Sequence, residues 1–140
     1  RLSLGRPRRA TSSFRVTSPE AKRRWFIDRP EGALVNERVR QICQFGHLNL
    51  LEPERATAVG RVDAIFCRNV LIYYDLSLQE RIVSKFAKVL APGGVLVLGT
   101  AEHIPRPFMP MFEAVSRRWK IFRRLLDAPP TPVSLEVFGR

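Results

Sequence analysis

An α/β fold is predicted for this chain, a Rossmann-like set of parallel strands with a crossover helix and a C-terminal antiparallel hairpin. Three observations predict it. Ala64-Ile65-Phe66-Cys67 and Val95-Leu96-Val97-Leu98-Gly99 are short apolar runs of the kind buried on both faces of a parallel sheet. Between them lies the best amphipathic helix of the sequence, with Leu78, Ile82, Val83, Phe86, Val89 and Leu90 on one stripe. Strand, helix and strand in that order make a right-handed βαβ unit. Finally, Phe112-Glu113-Ala114-Val115-Ser116 and Trp119-Lys120-Ile121-Phe122-Arg123 read as a last pair of strands. Arg117-Arg118 between them suits a tight hairpin, although the usual Gly or Asn is missing.

Taken in order, residues 1–17 are basic and poor in apolar side chains, which predicts a flexible arm or the frayed end of a truncated N-terminal segment. Ser18-Pro19-Glu20 is a helix start, with Ser as N-cap and Pro at the first helical position. That helix should run through Trp25-Phe26, its expected core contacts, and stop near Asp28-Arg29-Pro30-Glu31-Gly32. A brief strand at Ala33 to Val35 and a helical turn around Asn36 to Gln41 follow. Ile42 to Leu48 alternates enough to predict a strand, delivering His47-Leu48-Asn49-Leu50-Leu51, and Glu52 to Arg61 reads as a polar loop. After Asp75, Ser77-Leu78-Gln79-Glu80 fits a capping box, and Ala91-Pro92-Gly93-Gly94 ends the helix. Residues 125–140, with Pro129, Pro130 and Pro132, predict a mobile tail, leaving 18–124 as the folded body.

At 140 residues and 45% hydrophobic content this is one domain's worth of globular chain. No apolar run approaches the ~20 residues of a membrane span, and no signal peptide opens the sequence. Cys43 and Cys67 lie on apolar segments without metal-like spacing, so both are expected reduced and buried. A cytoplasmic protein without a metal or membrane insertion is the expectation. The 24 Lys and Arg against 13 Asp and Glu give +11, a field that favours an acidic partner. Nucleic acid, anionic membrane and acidic protein all qualify by charge. No zinc finger or RNA-binding aromatic signature accompanies the arginines, which argues against nucleic acid.

The candidate site is Val62 to Asp75, VDAIFCRNVLIYYD. Arg68 and Asn69 sit where the apolar strand should end, and in open α/β sheets ligands bind beyond the carboxyl ends of the strands. The alternative is that the pair merely caps the strand. Asn49, a polar residue between leucines, is a second candidate at a strand end. His47 reads as structural, and Asp63 as support for a neighbouring loop.

FCRNVLIYYD, with HLNLLE before it and LAPGGVLVLGTAEH after it, resembles the C-terminal half of the CheR-type chemotaxis receptor methyltransferases, over roughly Thr17 to Arg124. The resemblance implies part of a class I methyltransferase sheet and a protein-glutamate O-methyltransferase activity that uses S-adenosylmethionine. It implies that Asn49, Leu50, Arg68 and Asn69 contact the cofactor. It also puts Tyr73 near the transferred methyl, in a shaping or orienting role; the alternative for Tyr73 and Tyr74 is that one packs in the core and the other faces water. The partners implied are acidic helices of chemoreceptors or related signalling proteins. Little acid–base help is needed, since a glutamate with a pKa near ~4.3 is ionised at neutral pH; alignment and exclusion of water are the main tasks.

Two departures stand out. The family's His-Ser-Glu run after the Gly-ended strand is here Thr100-Ala101-Glu102, and no role transfers to His103. The family's first strand and its cofactor-cradling loop are expected upstream of Arg1. A second reading is therefore a truncated, inactive relative that serves as a scaffold in a signalling complex.

Overall fold

The computed structural model describes residues 16–30, 32–51 and 60–126. The predicted arm, apart from residues 16 and 17, most of the 52–61 loop and the tail past 126 lie outside the described residues. The chain forms two compact units, residues 1–47 and 48–140.

In the first unit, Ser18 caps helix α1 (Pro19–Trp25), its hydroxyl accepting from the Ala21 amide at 3.1 Å. The helix stops at Trp25, earlier than predicted. Phe26–Arg29 (β1) instead pairs antiparallel with Gly32–Val35 (β2), from Phe26 opposite Val35 to Arg29 opposite Gly32. Gly32 permits the turn, its φ of 130° being one that L side chains rarely adopt. Trp25 is correspondingly half-exposed rather than a core contact. Asn36 caps α2 (Glu37–Ile42) by accepting from the Arg38 amide at 3.0 Å. The strand predicted over Ile42 to Leu48 does not form. Residues 43–49 have no regular structure, and Ile42 and Phe45 are exposed, because alternation without a partner strand gives the backbone nothing to pair with. Cys43 is exposed too, against expectation.

The second unit carries the predicted βαβ. β3 (Val62–Cys67) leads through a 3-10 turn (Leu71–Tyr73) into α3 (Leu76–Val89) and β4 (Leu90–Leu98). β3 and β4 run parallel, with Ala64 opposite Val95 and Cys67 opposite Leu98. The N-cap of α3 is Asp75, whose carboxylate accepts from the Leu78 amide at 2.9 Å. The Ser77 capping box is thus replaced by an acceptor two residues earlier, and Ser77 lies inside the helix. The stripe behaves as read: Ile82, Val83 and Phe86 are buried against Leu71, Leu96, Leu98, Phe108 and Met111. Burying side chains of this size contributes about 1.5–3 kcal/mol each.

A second 3-10 helix (Arg106–Met111) leads into β5 (Phe112–Ser116), which pairs antiparallel with β6 (Ile121–Arg124); the sheet order is β3-β4-β6-β5. The hairpin is looser than predicted. Its turn takes residues 117–120, so Trp119 leaves the strand, and Lys120 takes the left-handed backbone (φ 53°) that Gly or Asn would supply more cheaply. β3 also departs from expectation. It stands at the edge of the sheet, paired only with β4 among the described residues, so Phe66 is 74% exposed and only Cys67 of the strand is buried. No helix among the described residues is long and apolar enough to cross a membrane.

Candidate functional site

The sheet's carboxyl edge is organised by a residue whose role the sequence did not announce. Glu102 is 3% exposed and forms no ion pair among the described residues. One carboxylate oxygen accepts from the amides of Val70 and Leu71, both at 2.7 Å; the other accepts from Asn69 at 3.0 Å and from Gly99. A buried charge survives when enough donors replace water. Burial would raise the Glu102 carboxyl, but the amides of Gly99, Val70, Leu71 and Asn69 outweigh it and hold the group below the ordinary glutamate value. Burial, then the charge of Glu102, pushes the neighbouring Cys67 thiol up to about 11.

That anchor fixes the segment after β3. Asn69 sits in the left-handed region (φ 58°), one Asn tolerates better than most residues. Its side-chain oxygen lies 2.5 Å from where a Cβ on Gly99 would stand, so only glycine fits there. The carbonyls of the same segment are held from the other side by Gln79 of α3, which donates to Leu71 O at 3.1 Å and Tyr74 O at 2.9 Å. Backbone donors go to Glu102 and carbonyls to Gln79.

The predicted site residues then fall into place unequally. Arg68 and Asn69 are exposed at the carboxyl end of β3, as read. Tyr73 is 80% exposed on the 3-10 turn, whereas Tyr74 packs against the core, which matches the open alternative for that pair. Asn49 uses its side-chain oxygen locally, accepting from the Leu51 amide at 3.0 Å. Leu50 is tied to α3 by Lys85, whose ammonium donates to the Leu50 carbonyl at 2.6 Å. Leu50 and Val70 both line a concavity of ≈320 Å³ along the free edge of β3, walled also by Phe66, Ile82 and Phe86. The lining is almost wholly apolar. Thus Leu50 shares a wall with the residue after Asn69, while Asn49 points its amide oxygen back at its own loop. His47 and His103 are exposed.

Glu102 and Gln79 went unassigned in the sequence because their partners are backbone groups, which every residue has. The available signals were a carboxylate three residues after a Gly-ended strand, and an amide in the first turn of the next helix.

Comparison with known proteins bears on the same segments. Residues 9–121 match the family model described as CheR methyltransferase, SAM binding domain. The chain is 44% identical over 96 residues to a chemotaxis protein methyltransferase of Klebsiella aerogenes, covering 64% of this chain and 32% of that protein. It is 40% identical over 98 residues to the one of Salmonella typhimurium, covering 66% and 33%. A probable biofilm formation methyltransferase, WspC of Pseudomonas putida, is 38% identical over 91 residues, covering 65% of this chain and 22% of that protein. The chain therefore spans a third or less of the length of these relatives.

Proposed function

The chain belongs to the CheR methyltransferase family, and from that membership we propose that it forms the C-terminal part of a catalytic domain that transfers methyl from S-adenosylmethionine to glutamate side chains of chemoreceptors or related signalling proteins. The observation that carries this reading is the Glu102 anchor, which presents Asn69 at the carboxyl end of the parallel β3–β4 pair, where α/β folds bind ligands.

The residues present fit the cofactor. The Asn69 side chain is exposed and makes no hydrogen bond among the described residues, so its oxygen can accept from a ligand's ammonium and its NH2 can donate to a ligand's carboxylate. Arg68 beside it is exposed and suits the same carboxylate. Leu50 supplies an apolar wall. Asn49 shapes the loop that carries Leu50 and presents backbone rather than its amide oxygen.

When bound, S-adenosylmethionine would supply an electrophilic sulfonium methyl for an ionised carboxylate, the O–CH3 bond forming as the S–CH3 bond breaks and the cofactor leaving as the neutral thioether S-adenosylhomocysteine. The chain's residues contribute orientation. Tyr73, exposed on the 3-10 turn that follows Asn69, is assigned a shaping or orienting role, its hydroxyl being a donor suited to the substrate carboxylate. No general base is called for, because the acceptor is already ionised at neutral pH. Fixed amides around Glu102 keep the Asn69 segment from rearranging when ligand binds.

The test is calorimetric titration of S-adenosylmethionine into the 140-residue chain, beside a polypeptide with the full length of the relatives. Binding that Asn69→Gly weakens about tenfold in whichever form binds supports the reading. Undiminished binding by that variant sinks the assignment of Asn69, and failure of both lengths to bind sinks the methyltransferase reading for this protein.

A further inference from the structure

The turn between β5 and β6 contributes nothing to the core, yet it is held in a defined shape. Arg117, Arg118 and Trp119 are exposed, Trp119 by 61% and the neighbouring Val115 by 48%. The Arg118 guanidinium lies over the Trp119 ring, 5.0 Å from its centroid. The Trp119 amide donates to the Ser116 hydroxyl at 3.2 Å, and Lys120 holds a left-handed backbone that L side chains rarely adopt. From Ala114 to Phe122 there is no carboxylate. The result is a tip of three cations and one aromatic ring, with one guanidinium held in place by stacking.

Its location matters as much as its charge. The Lys120 carbonyl accepts from the Leu98 amide at 3.0 Å. The next residue, Gly99, donates to Glu102, which also holds Asn69. The turn therefore stands on the same carboxyl edge of the sheet as Asn69 and the exposed Arg68.

We propose that the Arg117–Lys120 turn is a docking surface for an acidic segment of a partner protein, held at the rim of the Asn69 site. Trp and Arg are the residue types that anchor protein interfaces, and a pre-stacked guanidinium presents its fork to carboxylates at little further entropic cost. A protein partner is favoured over an anionic lipid surface because a contact beside a ligand crevice benefits only a partner that reaches into it. That this partner also carries the methyl acceptor rests on the methyltransferase reading; the docking does not.

The probe is a fluorescein-labelled helical peptide of about 20 residues bearing two glutamates per turn, beside its Glu-to-Gln counterpart, read by anisotropy. Trp119→Ala should weaken binding of the acidic peptide at least about fivefold and the pair Arg117→Gln, Arg118→Gln roughly thirtyfold, at one to two interface anchors removed. Added salt should weaken the wild type and not the double variant. Equal binding by wild type and double variant, equal binding of the Gln peptide, or no binding at all overturns the proposal. So does turn-dependent sedimentation with vesicles of one-third phosphatidylglycerol when the peptide is ignored. Titrating S-adenosylmethionine into the same variants separates the two readings. Cofactor binding without peptide binding removes only the docking surface; turn-dependent peptide binding in a protein that ignores cofactor at both lengths keeps the surface and removes the methyltransferase.

Discussion

The carboxylate of Glu102 accepts a hydrogen bond from the amide of Asn69 at 3.0 Å, across 33 residues of sequence. A buried side chain thereby sets the backbone of a residue proposed to hold the cofactor. Replacing it tests that dependence. Glu102→Gln keeps one acceptor oxygen and turns the other position into a donor facing amides, so at least one buried N–H loses its partner. Thermal or urea unfolding should register a loss of about 3 kcal/mol, and Glu102→Ala should lose more.

Acid should act through the same group. Its folded pKa is lowered, so its contribution is fully present above the ordinary glutamate value of about 4.3 and is lost as pH falls through the lower, folded value. Stability of the wild type should therefore fall steeply below pH ~4, and the slope in Glu102→Gln should be shallower over that window. Parallel curves from urea titrations at several pH values would count against an ionised Glu102.

Asn69 separates backbone from side chain. Asn69→Gly keeps the left-handed conformation without strain, so its stability should change by less than about 1 kcal/mol while cofactor affinity falls about tenfold. Asn69→Ala should lose the same affinity and a further ~1 kcal/mol of stability. Gly99→Ala places a methyl against both Asn69 and Glu102 and should destabilise by about 1–3 kcal/mol. Melting curves and calorimetry read the two quantities independently.

The two thiols should differ by orders of magnitude in reactivity. Cys43 is exposed, whereas Cys67 is buried with its pKa near 11. Relative to a thiol at the unperturbed value of 9.0, that leaves roughly 100-fold less thiolate at neutral pH. A disulfide reagent should titrate one thiol in the native protein and the second only on unfolding. Rapid modification of both would show that the β3 edge opens readily.

Much of this architecture is legible in the sequence. The stripe from Leu78 and the run from Val95 specify the βαβ unit, because helix period and apolar run length agree. The helix nonetheless ends at Val89, and the Ala91-Pro92-Gly93-Gly94 stop is taken into β4, which begins at Leu90 and ends at Leu98, before Gly99. Ser18 marks its helix start correctly because a cap is a local contact, three residues long. Expectation and structure part where local pattern lacks a tertiary partner. Ile42 to Leu48 alternates like a strand but meets no neighbour among the described residues, and Phe66 has one pairing edge instead of two. Arg68, Asn69 and Tyr73, pointed to by family resemblance, are found exposed at the strand end and the turn beyond it. Glu102 stays hidden in the sequence because a carboxylate bonded to amides leaves no complementary residue type to search for.

The span between Asn69 and Glu102 also has a meaning in time. Closing a loop of that length is entropically uphill until β4 has docked beside β3 and brought residue 102 to the strand end. Local helices can flicker into being within microseconds, and Gln79 is near in sequence to the carbonyls it holds, but the amide of the left-handed Asn69 is bonded by a distant carboxylate. A ligand that needs the kink thus recognises only chains whose sheet is already assembled, so binding doubles as a proofreading of completed folding.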